Sequence, residues 1–512
     1  MIDNTFYLRE VQELIDVNEN IKLFEYIEKN VEKFFSSADL YSVYQVIAQI
    51  DVNATTRIIP KLIKAWLAFL CGDNVTLTSI MKTINESELE NRHERSMYYS
   101  LKAISGWNSS LIEREKYALL SVEVLNKEDS TFYMANALLT YGQMLASQDR
   151  FRNAAEIFSK AYDLFDYNNM QFPAVVSRVN ELLNRSKLGE FRSVIEICQN
   201  LLIMSAQFNV DKENDWNVLH LPLGICYYEL NKPHLAIKHL MIAKDTIERL
   251  KLFHMHGLIE IFIFKAFYIL QDVDNMNKVY NEAKLIYERM QDRMGNIILS
   301  MFYLLMNKNE DDLGAQYHIQ QMEMVYETLN ENTPSLVIQT LMYLKTQELS
   351  HKITQKDINA HIDRLRYIGT IPDLQMLLVL NANIHQYENK ETLAKSITQE
   401  ALKLYKEFGI SAAFNYSSPQ VFNYLRKLDI ELWTNLNKQD SIDNTLEDRS
   451  LLSTREKEIM QLIAKGKTNK EVGDLLFIGV GTVKWHINNI FSKLHVENRV
   501  QAIEKARTTG EI

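Results

Sequence analysis

The chain has 512 residues, 56 Lys and Arg against 66 Asp and Glu for a formal charge of −10, and only 15 Gly and 7 Pro. That length exceeds one ordinary compact domain. The scarcity of Gly and Pro beside abundant Leu, Ile, Lys and Glu excludes collagen-like and low-complexity chains and points to an all-α protein with short connections.

The N-terminal stretch, residues 1–14, is acidic and polar, without the basic start and apolar core of a secretory signal. The longest apolar run, residues 258–270, is broken by Glu260 and Lys265 and is too short to span a bilayer. Cys71, Cys198 and Cys226 are far apart among apolar neighbours, which predicts buried thiols in a reducing compartment. These features together predict a cytoplasmic protein without a membrane partner.

Up to about residue 130 the apolar spacing is helical. Ile58, Leu62, Ala65, Trp66, Phe69 and Leu70 recur at three- and four-residue steps. A polar turn at 71–74 then opens another helix through Ile80 and Ile84.

From about residue 135 a repeat emerges. Gly142, Ala154, Phe158 and Ala161 fall at offsets 0, 12, 16 and 19, and Gly224, Ala236, Leu240 and Ala243 reproduce them. Ala382, Ala394, Thr398 and Ala401 do so more loosely, and Leu182, Val194, Cys198 and Leu201 give a degraded copy. Small and bulky residues at fixed offsets are what two antiparallel helices need to approach closely and stack on the next pair. The spacings of 40 and 42 residues between positions 142, 182 and 224 exceed the standard unit of about 34. The gap from 224 to 382 has room for four units, with three eroded anchors between. This body resembles tetratricopeptide solenoids with lengthened units.

Between 436 and 450 the apolar rhythm stops and Asn, Asp and Ser dominate. The expected organisation is a helical-repeat sensor or interaction domain over 1–436, a linker over 437–450 and a third segment over 451–512. That last segment carries ten Lys and Arg and seven Asp and Glu, net +3, which leaves −13 on the rest. Such asymmetry suits a nucleic-acid-binding end on an otherwise acidic body.

Within 451–512 the spacing Ser453/Glu456 is that of a capping box, which predicts a helix from Thr454 to Gly466. Thr468/Glu471 repeats the device for a helix through Leu476. A short turn at 477–479 leads to a long helix over about 480–494, and Asn498 caps a final helix from about Arg499. Two capped helices followed by a long third are the arrangement that reads the DNA major groove.

The runs LSTRE, GKTNKEV, TVKWHINNIFSKL and VENRVQAI resemble the LuxR-type DNA-binding domain over about 60 residues. Two positions depart from that pattern: Gly479 replaces the usual serine before the recognition helix, and Gly473 replaces a helical alanine. The first costs a few tenths of a kcal/mol as an N-cap and the second about 1 kcal/mol inside a helix, so both bear on stability rather than fold. The resemblance implies that Lys484, Trp485 and Asn488 read bases. Lys484 would donate to guanine, Asn488 would pair with adenine, and Trp485 would touch a thymine methyl. Lys467, Thr468, Asn469, Thr482 and Arg499 would hold phosphates. Val500, Ile503 and Ala506 are dimerisation candidates or internal packing, and a homodimer on double-stranded DNA would call for an inverted repeat.

No metal, cofactor or enzymatic site is expected. The GKT at 466–468 lacks the glycine of a P-loop five residues earlier, where Gln461 stands, and His254 and His256 have no further ligand cluster. Helical repeats followed by a LuxR-type end resemble MalT-like regulators without their ATPase module, so ATP-driven assembly is not carried over unless an ATPase acts in trans. The function expected is a sequence-specific transcription regulator, an activator that would engage RNA polymerase. A small-molecule, peptide or protein effector is expected on the concave face of the repeats, with Tyr141, Trp216, Tyr227 and Tyr228 as candidate lining. The alternative is an interaction scaffold in which DNA contact is secondary.

Overall fold

The computed structural model describes residues 4–36, 39–105, 110–208, 215–250, 252, 255–290, 293–307, 312–329, 333–437, 454–476, 483, 487, 490–491, 496 and 498–508. All regular structure among them is helical. The chain divides into two compact units, Met1–Trp433 and Thr434–Ile512, a division that falls within the helix Ile430–Asn437. Residues 438–450 of the expected linker lie outside the described residues.

The first unit is a succession of antiparallel helix pairs, each packed on the next. Thr131–Ser147 pairs with Phe151–Tyr167, Gln171–Lys187 with Phe191–Phe208, and His220–Glu229 with Pro233–Arg249. After His256–Ile269/Val273–Met290, Arg293–Met306/Leu313–Leu329 and Ser335–Thr346/Gln355–Ile368 comes Ile371–Tyr387/Glu391–Phe408. Three pairs therefore occupy the interval in which three eroded anchors are expected.

The small-to-bulky offsets have a direct physical cause. A Cβ on Gly142 would stand 2.8 Å from the Phe158 ring, and one on Gly224 would stand 2.7 Å from Leu240. The first helix of each pair must be bare where the second presents its side chain. Ala154, Phe158, Ala161, Ala236, Leu240 and Ala243 are all fully buried at these contacts, the close-packed condition in which a missing or added methylene is felt. The repeats are tetratricopeptide-like in this sense.

The eroded anchors can be placed by continuing the spacing. Phe264, Phe302 and Leu341 extend the series 142, 182, 224 to 382 in steps of 38 to 42 residues, and all three are fully buried on the first helix of their pair. The rings of Phe264 and Phe302 stack with centroids 4.0 Å apart. Here large side chains fill the space between successive first helices, so the small-residue signature disappears while the architecture persists.

The stack also returns on itself. Helix Gln171–Lys187 packs against Ile371–Tyr387, with Lys187 Nζ 2.8 Å from Asp373 Oδ2. Arg364 pairs with Asp149 at 2.5 Å, Ser411 N–H donates to the Glu229 carbonyl at 2.9 Å, and Asn415 Nδ2 donates to Asn231 Oδ1 at 2.8 Å. Gly189 sits at this seam with φ +85°, and a Cβ there would meet Phe408 at 2.6 Å; both conformation and space call for glycine.

Cys198 and Cys226 are buried thiols, as expected, and Cys71 is half-buried. Burial pushes Cys198 up to about 12. No helix among the described residues is long and apolar enough to cross a membrane.

Candidate nucleic-acid interface

The second unit is built around Ile459, Met460, Ile463, Val472, Val483, Ile487, Ile490, Ala502 and Ala506, with Leu462, Phe491, Val496 and Ile503 packed on them. Ile459, Met460 and Ile463 come from the helix Thr454–Ala464, Val472 from Asn469–Leu476, and Ala502 and Ala506 from Arg499–Thr508. Val483, Ile487 and Ile490 follow steps of four and three, so one helical stripe of this segment faces the core.

The polar residues between these helices serve mainly to end and start them. Gly466, φ +82°, closes the first helix: its N–H donates to the Ile463 carbonyl at 3.0 Å and the Lys467 N–H to the Leu462 carbonyl at 3.1 Å. Thr468 then opens the next helix through the capping box expected from its spacing. The Glu471 N–H donates to Thr468 Oγ1 at 3.3 Å, and the Thr468 N–H and hydroxyl donate to Glu471 Oε2 at 2.8 and 2.9 Å. The Thr468 backbone N–H, then its hydroxyl and the Lys467 ammonium, hold the Glu471 carboxyl below its ordinary range. Asn498 caps the last helix by accepting from the Gln501 N–H at 3.0 Å.

Arg499 takes a place that the sequence did not suggest. Its Nη2 donates to the Ile463 carbonyl at 3.2 Å and to the Lys467 carbonyl. The Ile463 carbonyl belongs to the last turn of the first helix and the Lys467 carbonyl to the turn that follows, so the cation completes a helix end and the connection beyond it as hydrogen-bond donor. Arg499, expected at a phosphate, thus has its Nη2 engaged in a tie between the first and last helices. Ala506 is corrected as a dimerisation candidate, because it is fully buried in the unit's own core, and Ile503 packs against that core.

Lys467 is half-exposed and ion-paired with Glu471 at 3.3 Å, a surface pair worth little by itself. Asn469 begins its helix on the same turn. Lys484, Trp485, Asn488 and Thr482 lie outside the described residues, as do Ser453 and the side chain of Val500.

The four aromatic effector candidates do not form one lining. Tyr141 packs against Met144 and Ala118 on one side and Leu145 and Phe158 on another. Tyr227 stacks on His239 at 5.2 Å, and Trp216 is partly buried in the short helix Asp215–Leu219. Tyr228 is 1% exposed, edge-on to Phe262 at 5.2 Å. Its burial corrects the expectation of an open lining aromatic. His254 is outside the described residues, His256 is buried, and no group of three metal-ligating side chains occurs among the described residues.

Residues 450–506 match the family described as bacterial regulatory proteins, luxR family, so the C-terminal segment is a LuxR-type helix-turn-helix domain. The chain is 58% identical over 60 residues to the transcriptional regulatory protein LiaR of Bacillus subtilis (strain 168), which covers 12% of this chain and 28% of LiaR. It is 44% identical over 66 residues to the transcriptional activator protein SolR of Ralstonia solanacearum, 13% of this chain and 28% of SolR. The chain thus spans 28% of the length of each of these two relatives. Among solved structures, a Rap protein complexed with competence and sporulation factor aligns with 79% of this chain and 98% of its own, at 11% identity and a TM-score of 0.43.

Proposed function

We propose that the chain is a sequence-specific DNA-binding transcription activator whose repeat unit receives an effector. The observation that carries this reading is the LuxR-type match over residues 450–506, joined to a core in which Val483, Ile487 and Ile490 occupy the inner stripe of the third segment. Helical periodicity then leaves Lys484, Trp485 and Asn488 off that stripe and available to base edges. Lys467, Asn469 and Thr482 supply phosphate contacts, with the N-terminus of the helix beginning at Asn469 aimed at the backbone. Residues 437–450 link the repeats to this domain, Val500 and Ile503 contribute to a homodimer on an inverted repeat, and RNA polymerase is the partner at the promoter. The protein works in the cytoplasm.

The test is fluorescence-anisotropy titration of the full chain on a sequence selected from a random DNA pool and on unselected DNA, across a salt series. The expected result is specific binding tighter by about a thousandfold or more, with the double change Lys484→Ala and Asn488→Ala abolishing base preference. Equal affinity for both DNAs would remove the proposal.

A further inference from the structure

The connection between helices Glu391–Phe408 and Pro419–Leu428 does not run over the surface. Ile410, Ser411, Ala412, Ala413 and Phe414 are all buried, Phe414 completely. Connections usually stay outside, because a buried one must find partners for backbone groups that no helix satisfies. Here side-chain amides supply them. Gln375 Nε2 donates to the Ile410 carbonyl at 3.0 Å, Asn383 Nδ2 donates to the Tyr416 carbonyl at 2.8 Å, and Asn383 Oδ1 accepts from the Ser418 N–H at 2.8 Å. Both amides belong to the helix Ile371–Tyr387, and both meet the backbone of the segment rather than its side chains.

The other side of the segment crosses to earlier repeats. The Ser411 N–H donates to the Glu229 carbonyl at 2.9 Å, and Asn415 Nδ2 donates to Asn231 Oδ1 at 2.8 Å. The Tyr416 ring stacks on Tyr268 with centroids 5.0 Å apart, and its hydroxyl meets that of Tyr228. One short stretch thus touches the first helices of three pairs, His220–Glu229, His256–Ile269 and Ile371–Tyr387. Neither flanking helix depends on it. Gly409, φ +80°, closes Glu391–Phe408 with its N–H on the Tyr405 carbonyl at 2.7 Å, and Ser418 caps Pro419–Leu428 by accepting from the Val421 N–H at 3.3 Å. Both helix ends are fixed outside residues 410–417, so that stretch can leave its seat without unwinding either helix.

We propose that residues 410–417 are a resident strap in a peptide groove, and that the effector of the repeat unit is an extended, uncharged peptide with two aromatics spaced as Phe414 and Tyr416, which displaces the strap. The inference rests on the reading of the repeat unit as the receiver of an effector. The strap itself, Ile-Ser-Ala-Ala-Phe-Asn-Tyr-Ser, carries no charge and states the chemistry required. Its backbone serves Gln375 and Asn383, one ring is enclosed at Phe414, and one ring lies on Tyr268. The Glu229 carboxyl, pushed up to about 7 by burial against the pull of Lys265 and Lys187, carries only part of its charge near neutrality and suits an uncharged occupant. A tethered segment has an effective concentration on the order of millimolar, so the strap keeps out any peptide that does not bind the vacated groove well below that value. Displacement frees the Glu229 carbonyl and Asn231, through which the segment ties an early pair to the end of the array.

The test uses the full chain and the peptide Ile-Ser-Ala-Ala-Phe-Asn-Tyr-Ser, amidated and labelled with fluorescein at its N-terminus, beside a control peptide with serine at both aromatic positions. The double change Phe414→Ser and Tyr416→Ser vacates both ring positions in the chain. With its helical circular dichroism intact, this variant is expected to bind the aromatic peptide about tenfold or more tighter than the wild type does, and about tenfold or more tighter than it binds the control. Equal binding by variant and wild type, equal binding of the two peptides, or no binding by the folded variant would overturn the groove. Hydrogen exchange of the wild-type chain tests the strap without any substitution: amides of residues 411–417 are expected to exchange about tenfold or more faster than those inside Glu391–Phe408. Equal protection in the two would overturn a removable strap. Operator affinity of the variant with and without peptide separates the two readings. A shift of about fivefold or more is expected. Capture that leaves operator affinity unmoved overturns the regulatory role, and absent capture beside intact operator binding overturns the groove alone.

Discussion

In the C-terminal unit Thr468, Asn498 and Arg499 each meet backbone groups that a helix end leaves open. In the repeat unit the buried hydroxyls of Tyr228 and Tyr416 meet each other, and Lys265 reaches Gln339 Oε1 only at 3.5 Å. Both sets are polar residues at helix ends or in helix interiors, and composition does not distinguish them. The difference lies in what satisfies them: backbone groups left open at a helix end in one unit, and side chains distant in sequence in the other.

This contrast is most severely tested at Arg499. Arg499→Met should destabilise the C-terminal unit by about 2–3 kcal/mol, because the Ile463 carbonyl at a helix end and the Lys467 carbonyl in the turn after it lose a charged donor. Hydrogen exchange across residues 454–508 is the measurement, and unchanged protection would mean that Arg499 is free for other work. Thr468→Ala should cost about 1 kcal/mol, read as faster exchange in Asn469–Leu476, while Thr468→Ser should retain the cap. Tyr416→Phe should lower stability by about 1 kcal/mol, since the buried Tyr228 hydroxyl loses its partner. An unchanged melting temperature would show that the two hydroxyls do not bond each other.

A pH experiment sharpens the same contrast. Glu229 has its carboxyl raised from an ordinary 4.5 to about 7, so the folded state binds its proton more tightly than the unfolded one. Its contribution to stability is complete below about 4.5 and is lost as pH rises through about 7. Relative to Glu229→Gln, the wild-type chain should therefore lose stability across that window and run parallel above it. Difference unfolding curves taken at successive pH values are the check, and parallel curves throughout would contradict the raised value.

The sequence made four anchors legible, at 142, 182, 224 and 382, because small residues or their offsets survive there. Phe264, Phe302 and Leu341 were not legible, since at those positions close packing is met by large side chains. A different signal runs through more of the repeats. Seven residues after the anchor the chain turns left-handed, at Asp149, Gly189, Asn231, Gln271, Glu348 and Asn389. Asp, Gly and Asn at that offset are readable as turn residues, whereas Gln271 and Glu348 are not.

In the C-terminal unit the caps at Thr468 and Asn498 follow from short local spacing, and both stand where expected. The role of Arg499 depends on carbonyls more than thirty residues earlier, and local spacing does not carry it. The polar cluster inside the repeat unit is harder still, because Lys187, Lys265, Gln339 and Asp373 come together only through the curvature of the stack.

The seam formed by Lys187 with Asp373, Arg364 with Asp149 and Asn415 with Asn231 joins residues 186, 215 and 184 positions apart. An open solenoid has contacts only between neighbours, so it nucleates anywhere and frays from its ends. Here the early and late repeats form one closed circuit, and the last contacts to form span the longest loops in the array. Such an array should melt as one cooperative body rather than repeat by repeat, which makes a local change inside it perceptible to the whole.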